Sequence, residues 1–249
     1  MTLSNAPHPV LRPYYESDGD RQSFVTALFD GSALHYDRVC ALMSLGSGQW
    51  YRREALRRAG LRRGMRVLDV ATGTGLVARA AMQVLDEPRA VIGIDPSGGM
   101  LGQARRRLSA PLVQGLVEEL PFEDDRFDVL SIGYALRHVA DLDVAFRECY
   151  RVLKPGGRLL ILEISRASSA ASRWAIRIYF RQVLPAIMWV STRSAHATML
   201  TRYYWDTIDS CVPPEAIVDV LRRSGFVDVD RRVFGGLLSE YVAVKPAGG

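Results

Sequence analysis

The stretch Val67–Gly75, with the sequence VLDVATGTG, constrains the fold of this chain more than any other. An apolar strand carrying Asp69 runs into a loop of small residues, and an apolar, alanine-rich segment follows. Glycines such as Gly73 and Gly75 let a backbone approach a ligand and adopt the positive φ that tight strand-to-helix turns often need. The pattern predicts the first strand of an α/β nucleotide-binding fold, although a glycine-rich turn can also be a simple connection.

A second apolar strand, AVIGIDPS, ends in Asp95 about twenty residues beyond Gly73, where doubly wound folds place an acid against ribose hydroxyls. The loop reads ATGTG and lacks the GxGxxG spacing that seats a dinucleotide pyrophosphate on a helix N-terminus. The carboxylate of Asp69 suits a cationic ligand better than a pyrophosphate. S-adenosylmethionine fits this arrangement, because its sulfonium and amino groups are positive and Asp95 can hold its ribose.

The chain therefore resembles the class I SAM-dependent methyltransferases, and within them the ubiquinone/menaquinone biosynthesis C-methyltransferases, from about Phe24 to Val244. The segment Arg151–Ser165, RVLKPGGRLLILEIS, matches that family's second signature at every defining position. The first signature is only partly kept: Tyr36 and Asp37 match, whereas Val39, Cys40 and Gly48 replace the usual methionine, asparagine and histidine. Because this region forms the family's lid over the substrate, the departures leave methyl transfer intact and make the quinone substrate less certain.

The resemblance implies an α/β, Rossmann-like class I methyltransferase fold: a seven-stranded, mostly parallel sheet with an antiparallel C-terminal edge strand and a helical lid. We predict four segments: a helical lid over 1–60, a SAM-binding core over 61–165, a helical insertion covering the substrate over 166–213, and a C-terminal helix with edge strands over 214–249. The triplet Pro155-Gly156-Gly157 is predicted to end one helix and start the fifth strand.

Cofactor roles follow from the fold and the resemblance. Asp69 is expected to orient the loop and the methionine amino group, Gly73 and Gly75 to allow close backbone approach, and Asp95 to hold the ribose. Arg52 lies near the position of a basic residue that meets the methionine carboxylate in the family, but an exposed helical arginine is the alternative. The remaining predicted cofactor contacts are Ala71, Thr72, Pro96, Met100 against adenine, Val117 with backbone contacts to adenine, and Tyr134.

Catalytic residues are expected at the end of the fourth strand, in the sequence IGYALRHV, because substrates lie across the carboxyl ends of the central strands. The resembled quinone enzymes carry an Arg-Asn pair here; Arg137 matches the arginine and His138 replaces the asparagine. A histidine near its ordinary pKa of about 6.5 can accept a proton, which an amide cannot. We predict that His138 deprotonates the acceptor and Arg137 stabilises the resulting anion, with Tyr36 of the lid as a weaker candidate. His138 could instead be a capping or packing residue.

The stretch between Arg166 and Pro214 is too long for a simple connection. Arg173, Arg177 and Arg181 recur at four-residue spacing, and apolar residues such as Trp174 lie beside them, which predicts a basic amphipathic helix. Such a helix could cover the active site or rest on a membrane, and an ordinary surface helix is the alternative. Further aromatic residues that could enclose a flat substrate, or simply pack in the core, are Tyr203, Tyr204 and Trp205.

Composition narrows the partners and the compartment. The net charge of +5 is spread over short arginine groups, which indicates solvated helix faces rather than a nucleic-acid site. Three cysteines without CxxC spacing indicate neither disulfides nor a zinc site, so no metal is expected. With no leader pattern and no apolar run long enough to span a bilayer, we expect a cytoplasmic protein, with peripheral membrane contact left open. The oligomeric state is not indicated.

Three functions remain in competition. The first is C-methylation of a quinone precursor ring, with S-adenosylhomocysteine as the second product. The second is N-, O- or C-methylation of another planar acceptor in specialised metabolism, which the altered lid and His138 favour. The third is a non-catalytic SAM-binding or RNA-modifying protein, for which no RNA-binding appendage or base-flipping motif is found.

Overall fold

A computed structural model describes residues 6–44, 46–166 and 169–248, and within them seven strands form one sheet with the order β3-β2-β1-β4-β5-β7-β6. The predicted segments 1–60, 166–213 and 214–249 therefore extend over a few positions outside the described residues, namely 1–5, 45, 167–168 and 249. The strands are β1 Val67–Val70, β2 Val91–Asp95, β3 Leu112–Gln114, β4 Phe127–Gly133, β5 Leu153–Ile164, β6 Val227–Phe234 and β7 Leu238–Val244.

Strands β1 to β5 pair in parallel, and β7 runs antiparallel to both β5 and β6. The predicted mostly parallel, seven-stranded α/β sheet with antiparallel C-terminal pairing is confirmed. The last strand of the chain is not the outermost one, because β7 lies between β5 and β6. Central strand β1 is buried along its whole length, as expected for a parallel strand with helices on both faces.

Ten α-helices accompany the sheet in the described parts of the chain. They are α1 Asp18–Ser32, α2 Tyr36–Ser44, α3 Gly48–Arg58, α4 Leu76–Leu85, α5 Gly98–Arg105, α6 Leu142–Val152, α7 Ala170–Ile178, α8 Leu184–Thr192, α9 Ala195–Ser210 and α10 Pro214–Arg223. A π-helical turn over Tyr179–Val183 joins α7 to α8.

The two faces of the sheet bury separate apolar cores. Phe146 on α6 and Leu221 on α10 belong to one core, while Leu56 on α3 and Ala81 on α4 belong to the other. This two-sided burial is the arrangement of a doubly wound α/β fold.

A third apolar core lies within the helical layer, where the N-terminal helices meet α8 and α9. Val25 and Leu28 on α1 and Val39 on α2 pack with Leu184 on α8 and Leu200 on α9, all of them buried. The N-terminal segment and the insertion therefore share one hydrophobic core, although more than a hundred residues separate them. This shared core fixes the helical layer above the carboxyl edge of the sheet.

The Pro155-Gly156-Gly157 triplet does not separate α6 from β5, so that prediction was wrong. Helix α6 ends at Val152, and Leu153 already pairs with Phe127 of β4. The register then shifts between Phe127 and Val129, so the triplet forms an irregularity inside the strand. Gly156 has a φ of 76°, which permits this bulge without ending the strand pairing.

Candidate active site

The two glycines of the loop after β1 have different structural roles. Both have positive φ, 58° at Gly73 and 85° at Gly75. A Cβ built on Gly73 would meet only the Tyr36 ring, at 4.0 Å, so this position leaves room for a ligand. A Cβ on Gly75 would collide with the Leu108 side chain. Gly73 is therefore placed for ligand approach, whereas Gly75 is required for packing beneath the loop.

Asp69 is fully engaged inside the protein. Its Oδ1 accepts a hydrogen bond from Ser131 Oγ at 2.6 Å, and its Oδ2 accepts from Thr72 Oγ1 at 2.6 Å and from Ala78 N at 3.0 Å. Burial raises its pKa to about 6 in spite of these bonds. Asp69 and Thr72 therefore hold the loop in shape, and the structure does not bring either to the wall of a cavity.

Asp95, in contrast, faces a cavity at the end of β2. Its Oδ2 accepts from Gly73 N at 2.7 Å and its Oδ1 from Ser97 N at 2.9 Å. Burial raises its pKa also, to about 6. Each carboxylate oxygen keeps a further lone pair, so the side chain can accept two hydroxyl groups from a ligand.

This cofactor cavity measures about 80 Å³. The sheet side of its wall contains the predicted residues Ala71, Gly73, Asp95, Pro96, Val117, Tyr134 and His138, together with Leu116. The opposite wall is formed by residues of the N-terminal helices, namely Gln22, Val25, Thr26 and Phe29 of α1 and Tyr36 of α2. Met100 is buried and does not line this cavity, so its predicted contact with adenine is not present here. The volume is well below the roughly 300 Å³ that is typical of ligand sites.

Two aspartates of the N-terminal helices, Asp30 and Asp37, bind the helical layer to the loops at the cofactor cavity. Asp30 on α1 accepts hydrogen bonds from Ser97 Oγ at 2.5 Å and from Gly99 N at 2.8 Å, at the start of α5. Asp37 on α2 accepts from Thr74 Oγ1 at 2.5 Å and forms an ion pair with Arg107. The contacts hold α1 and α2 against the loops that carry Gly73 and Asp95.

A second and much larger cavity of about 520 Å³ adjoins the first. Tyr36 and Tyr134 line both, so the two spaces meet at this pair of rings. The larger cavity is enclosed by α2, α3, α7, α9 and the turn between β6 and β7. Its mainly apolar wall includes Met43, Ile164, Ile176, Phe180, Trp205, Ile208, Phe234 and Leu238. We call it the acceptor cavity.

Arg52 is buried at 7% exposure on α3, so the alternative of an exposed helical arginine is wrong. Its guanidinium lies 5.2 Å from the centroid of the Tyr134 ring and lines the acceptor cavity. Tyr134 has a φ of 62°, an uncommon conformation for a tyrosine, and burial raises the pKa of its hydroxyl to about 12. The pair places one positive charge where the two cavities meet.

Arg137 and Glu163 form a buried ion pair between the turn after β4 and the end of β5. Both side chains are almost completely buried, and Arg137 Nη1 donates to Glu163 Oε1. The Nε of Arg137 and the Oε2 of Glu163 have no protein partner among the described residues. Arg137 lines the acceptor cavity and lies 5.7 Å from the Tyr204 ring centroid.

His138 packs against aromatic rings of α1 and α9 and lines the cofactor cavity, whereas Arg137 lines the acceptor cavity. Its ring stacks on Tyr203 at 5.5 Å and on Tyr204 at 6.2 Å, with Phe29 edge-on at 5.2 Å. Neither ring nitrogen has a hydrogen-bond partner among the described residues. Burial, and secondarily the charge of Arg137, hold the pKa of His138 well below its ordinary value, so the imidazole is neutral near pH 7.

The three aromatic residues on α9 were expected either to enclose a substrate or to pack in the core, and the structure shows both arrangements. Tyr203 is buried in the helical core and stacks on His138, whereas Tyr204 and Trp205 line the acceptor cavity. Trp174 of α7 points outward at 67% exposure, while Arg173 lines the acceptor cavity.

Sequence reasoning placed a turn at Gly235-Gly236 but missed its part in the acceptor cavity, and it also missed the wall that α1 contributes to the cofactor cavity and the contacts of Asp30 and Asp37. No local pattern marks these residues, because their partners lie far along the chain. Glu163 was the exception that could have been found. It is a charged residue in the apolar run of a central strand, and such a residue is rarely buried without a partner.

The residues of the cofactor cavity fit S-adenosylmethionine in their chemistry. Asp95 offers hydrogen-bond acceptors for a ribose, Leu116 and Val117 offer apolar surface for a base, and Gly73 leaves its backbone accessible. In residues 6–44, 46–166 and 169–248, no three or more His, Cys, Asp or Glu side chains are grouped so that they could hold a metal ion. Over the same residues, no helix combines the length and apolar character needed to cross a bilayer.

Comparison with known sequences agrees with the geometry. The model of the ubiE/COQ5 methyltransferase family matches residues 16–245. A demethylmenaquinone methyltransferase of Symbiobacterium thermophilum is 34% identical over 248 residues, covering 94% of this chain and 98% of that protein. The ubiquinone/menaquinone biosynthesis C-methyltransferase UbiE of Idiomarina loihiensis is 34% identical, covering 90% of this chain and 92% of its own length.

Solved structures share the fold at lower sequence identity. A SAM-dependent methyltransferase of Thermotoga maritima, described as a possible histamine N-methyltransferase, has a TM-score of 0.62 at 20% identity, covering 88% of this chain and 99% of its own. The [4+2]-cyclase SpnF has a TM-score of 0.65 at 18% identity, covering 98% and 100%. The second match has a different named activity, so the fold alone does not specify the reaction.

Proposed function

The chain belongs to the ubiE/COQ5 methyltransferase family and is a SAM-dependent methyltransferase, and on that premise we propose that it methylates a ring carbon of a quinone-like acceptor. The observation that carries the proposal is the acceptor cavity of about 520 Å³, which meets the cofactor cavity at Tyr36 and Tyr134. Its apolar wall suits a planar, lipophilic ring, and Arg137 supplies polar donors at its inner end. The full second signature and the named activities of the relatives support the same class of acceptor.

S-adenosylmethionine, when bound, supplies an electrophilic methyl group on a positively charged sulfur. Asp95 would bind the ribose hydroxyls, and Arg52, which lies over the Tyr134 ring, would bind the methionine carboxylate. Asp69 and Thr72 are positioning residues, because they hold the loop in shape through their hydrogen bond and do not line the cofactor cavity. Alignment of the two reactants then accounts for most of the acceleration, for which about 7–11 kcal/mol is available.

For a ring that reaches the junction of the two cavities, His138, which lines the cofactor cavity, would accept the proton of a ring hydroxyl, and Arg137, which lines the acceptor cavity, would stabilise the phenolate through the donors that Glu163 leaves free. The phenolate would place electron density on the ring carbon beside it; bound S-adenosylmethionine would supply the methyl group to that carbon and leave as S-adenosylhomocysteine. Loss of the proton from the methylated carbon to water restores the aromatic ring. The neutral state of His138 suits it for this step, although its low pKa makes it a weak base. Tyr36 lies at the meeting point of the cavities and orients the ring.

A second candidate is methylation of another planar acceptor at carbon, nitrogen or oxygen. The observation that favours it is His138, which replaces the family's asparagine and can deprotonate a ring nitrogen. The acceptor cavity has the volume and the apolar lining to hold either a quinone-like ring or an aromatic heterocycle.

Incubation with labelled S-adenosylmethionine distinguishes the candidates. With a demethylated quinol and a panel of aromatic heterocycles offered separately, we expect label in the quinol. Label confined to a heterocycle would favour the second candidate, and label in RNA alone would contradict both.

The role of His138 is tested by single-turnover transfer with His138→Ala. We expect the rate to fall about 100-fold or more, as is typical when a general base is lost. In the wild-type protein the rate should stay constant from pH 8 to below 6.5 and fall only at lower pH, because the pKa of His138 lies well below 6.5. An unchanged rate in the variant at saturating acceptor would leave His138 a packing residue.

We further propose that residues 1–60 and 166–213 act together as the lid, since they share one apolar core, and that the protein works in the cytoplasm with peripheral contact to a membrane. A lipophilic quinone-like acceptor resides in the bilayer, so such contact would shorten its path to the acceptor cavity.

A further inference from the structure

The stretch Arg166–Trp205 contains all the excess positive charge of the protein. It holds six arginines and neither aspartate nor glutamate. The rest of the chain then has 26 basic against 27 acidic residues, so the net charge of +5 arises within this one stretch. An uneven distribution of this kind gives one face of a protein an attraction for anionic surfaces.

The same stretch exposes most of the large apolar side chains found on the surface. Six of the ten exposed large hydrophobic residues in the described parts of the chain belong to it: Trp174, Val183, Ile187, Trp189, Val190 and Met199. Val190 is 71% exposed and Trp174 67%. Exposed apolar side chains that cluster mark an interaction site more often than scattered ones do.

Helical spacing brings apolar and basic side chains together. Val183, Ile187 and Val190 are four and then three residues apart, which places them along one side of the helix that begins in the π-helical turn and continues as α8. Trp174 lies one turn from Arg177 on α7, and Trp189 lies one turn from Arg193. We use the name α7–α8 face for the exposed side chains of these seven residues, which belong to α7, the π-helical turn, α8 and its C-cap Arg193.

Its arginines are available to a partner. Within the described residues, Arg177 and Arg193 have no carboxylate within ion-pair distance, unlike Arg181, which pairs with Asp206 at 2.7 Å. Both are exposed. A basic, apolar helix pair rich in tryptophan is the composition of segments that lie in the interface of a bilayer.

We propose that the α7–α8 face docks on a membrane that contains anionic lipids, and this inference rests on the proposed function. The apolar side chains would enter the boundary between headgroups and acyl chains, while Arg177 and Arg193 contact lipid phosphates. Helix α7 also supplies Arg173 and Ile176 to the acceptor cavity. Docking therefore places the wall of this cavity at the bilayer surface, where a lipophilic acceptor can enter without crossing water.

The first experiment is sedimentation of the full-length protein with vesicles of phosphatidylcholine alone or with 30% phosphatidylglycerol, a composition on the order of natural anionic content. We expect binding to the mixed vesicles that falls with added salt, because exposed charges are screened. The double variant Trp189→Ser/Val190→Ser should lose at least tenfold in partition coefficient. Trp50→Ser is the matched control, because Trp50 is 59% exposed but lies on α3.

Charge is tested separately with Arg177→Gln/Arg193→Gln against Arg105→Gln/Arg106→Gln, two exposed arginines at the end of α5. The first pair should lose most of the preference for anionic vesicles, and the second should keep it. The single variant Val190→Ser provides the same test with the smallest risk to folding, which circular dichroism monitors.

The proposal is overturned if binding is equal on neutral and anionic vesicles, if the control variants lose as much as the test variants, or if the wild type does not bind. It is also overturned if Trp189→Ser/Val190→Ser converts a dimer to a monomer in light scattering while vesicle binding stays the same, since the face would then join two copies. Failure of the proposed function looks different. In that case vesicle binding follows the α7–α8 face, but the bound enzyme transfers no methyl group to a quinol.

Discussion

The cofactor cavity and the acceptor cavity share two tyrosines but are built in different ways. On its sheet side, the cofactor cavity is formed by the loops directly after β1, β2 and β4, with backbone groups and one carboxylate facing inward. The acceptor cavity is formed by side chains from helices of both ends of the chain and from the turn between β6 and β7. The first depends on local turn chemistry, and the second depends on long-range packing.

Because of this difference, we expect substitutions in the cofactor cavity to affect mainly ligand affinity, and substitutions beneath the acceptor cavity to affect mainly the free energy of unfolding. Asp95 faces the cofactor cavity, and burial raises its pKa, so its negative charge does not stabilise the fold, although its oxygens accept hydrogen bonds from Gly73 N and Ser97 N. Arg137 and Glu163 are buried together beneath the acceptor cavity, and each neutralises the other. Substitutions on the two sides should therefore fail in different measurements.

The largest effect is expected for Arg137→Met. It leaves the Glu163 carboxylate buried without its partner, which typically costs about 3–5 kcal/mol. Urea denaturation should show this loss in the free energy of unfolding. Arg63→Met, which removes an exposed pair with Asp86, should change it by less than about 0.5 kcal/mol. A loss below about 1 kcal/mol for Arg137→Met would show that the buried pair is not a structural element of the acceptor side.

For Asp95→Ala we expect the main loss in ligand affinity rather than in the free energy of unfolding. Loss of two hydrogen bonds from a ribose to a carboxylate should weaken S-adenosylhomocysteine binding by about 2–3 kcal/mol, or about 30-fold to 150-fold. Calorimetry measures the affinity, and Asp86→Ala serves as the exposed control. Relief of the buried charge partly offsets the lost hydrogen bonds from Gly73 N and Ser97 N, so the free energy of unfolding should fall by less than it does for Arg137→Met. Equal weakening of acceptor and cofactor binding would contradict the assignment of Asp95 to the ribose. It would also show that the two cavities do not bind their ligands independently.

The smallest effect is expected at the contact that joins the two regions. Asp37→Asn removes the ion pair with Arg107 and can keep the hydrogen bond from Thr74. Because a partly exposed pair contributes about 0–1 kcal/mol, S-adenosylhomocysteine should dissociate up to about fivefold faster in stopped-flow measurements. Asp219→Asn on α10 is the control. No change in dissociation would mean that this contact does not limit lid opening.

The fold and the sheet side of the cofactor cavity were predictable, because short stretches of sequence encode the strands and turns that form them. Strand ends, the glycine loop and the acid at position 95 each carry a physical requirement that a short stretch of sequence expresses. Of the predicted cofactor contacts, Ala71, Pro96, Val117 and Tyr134 do line the cavity. Met100 and Thr72 do not, because a spacing along the chain does not say which side of a helix or turn faces inward.

By itself, the sequence determined the parallel sheet, the family and the position of the cofactor end, since strand periodicity and turn residues act over a few neighbours. Only the tertiary structure decided that Arg52 is buried, that Arg137 is paired and that His138 is surrounded by aromatic rings. Those properties come from contacts between separate elements, with partners 26 residues apart for Arg137 and Glu163 and farther apart for Arg52 and His138. Burial and charge compensation are set by such contacts, which no local pattern contains.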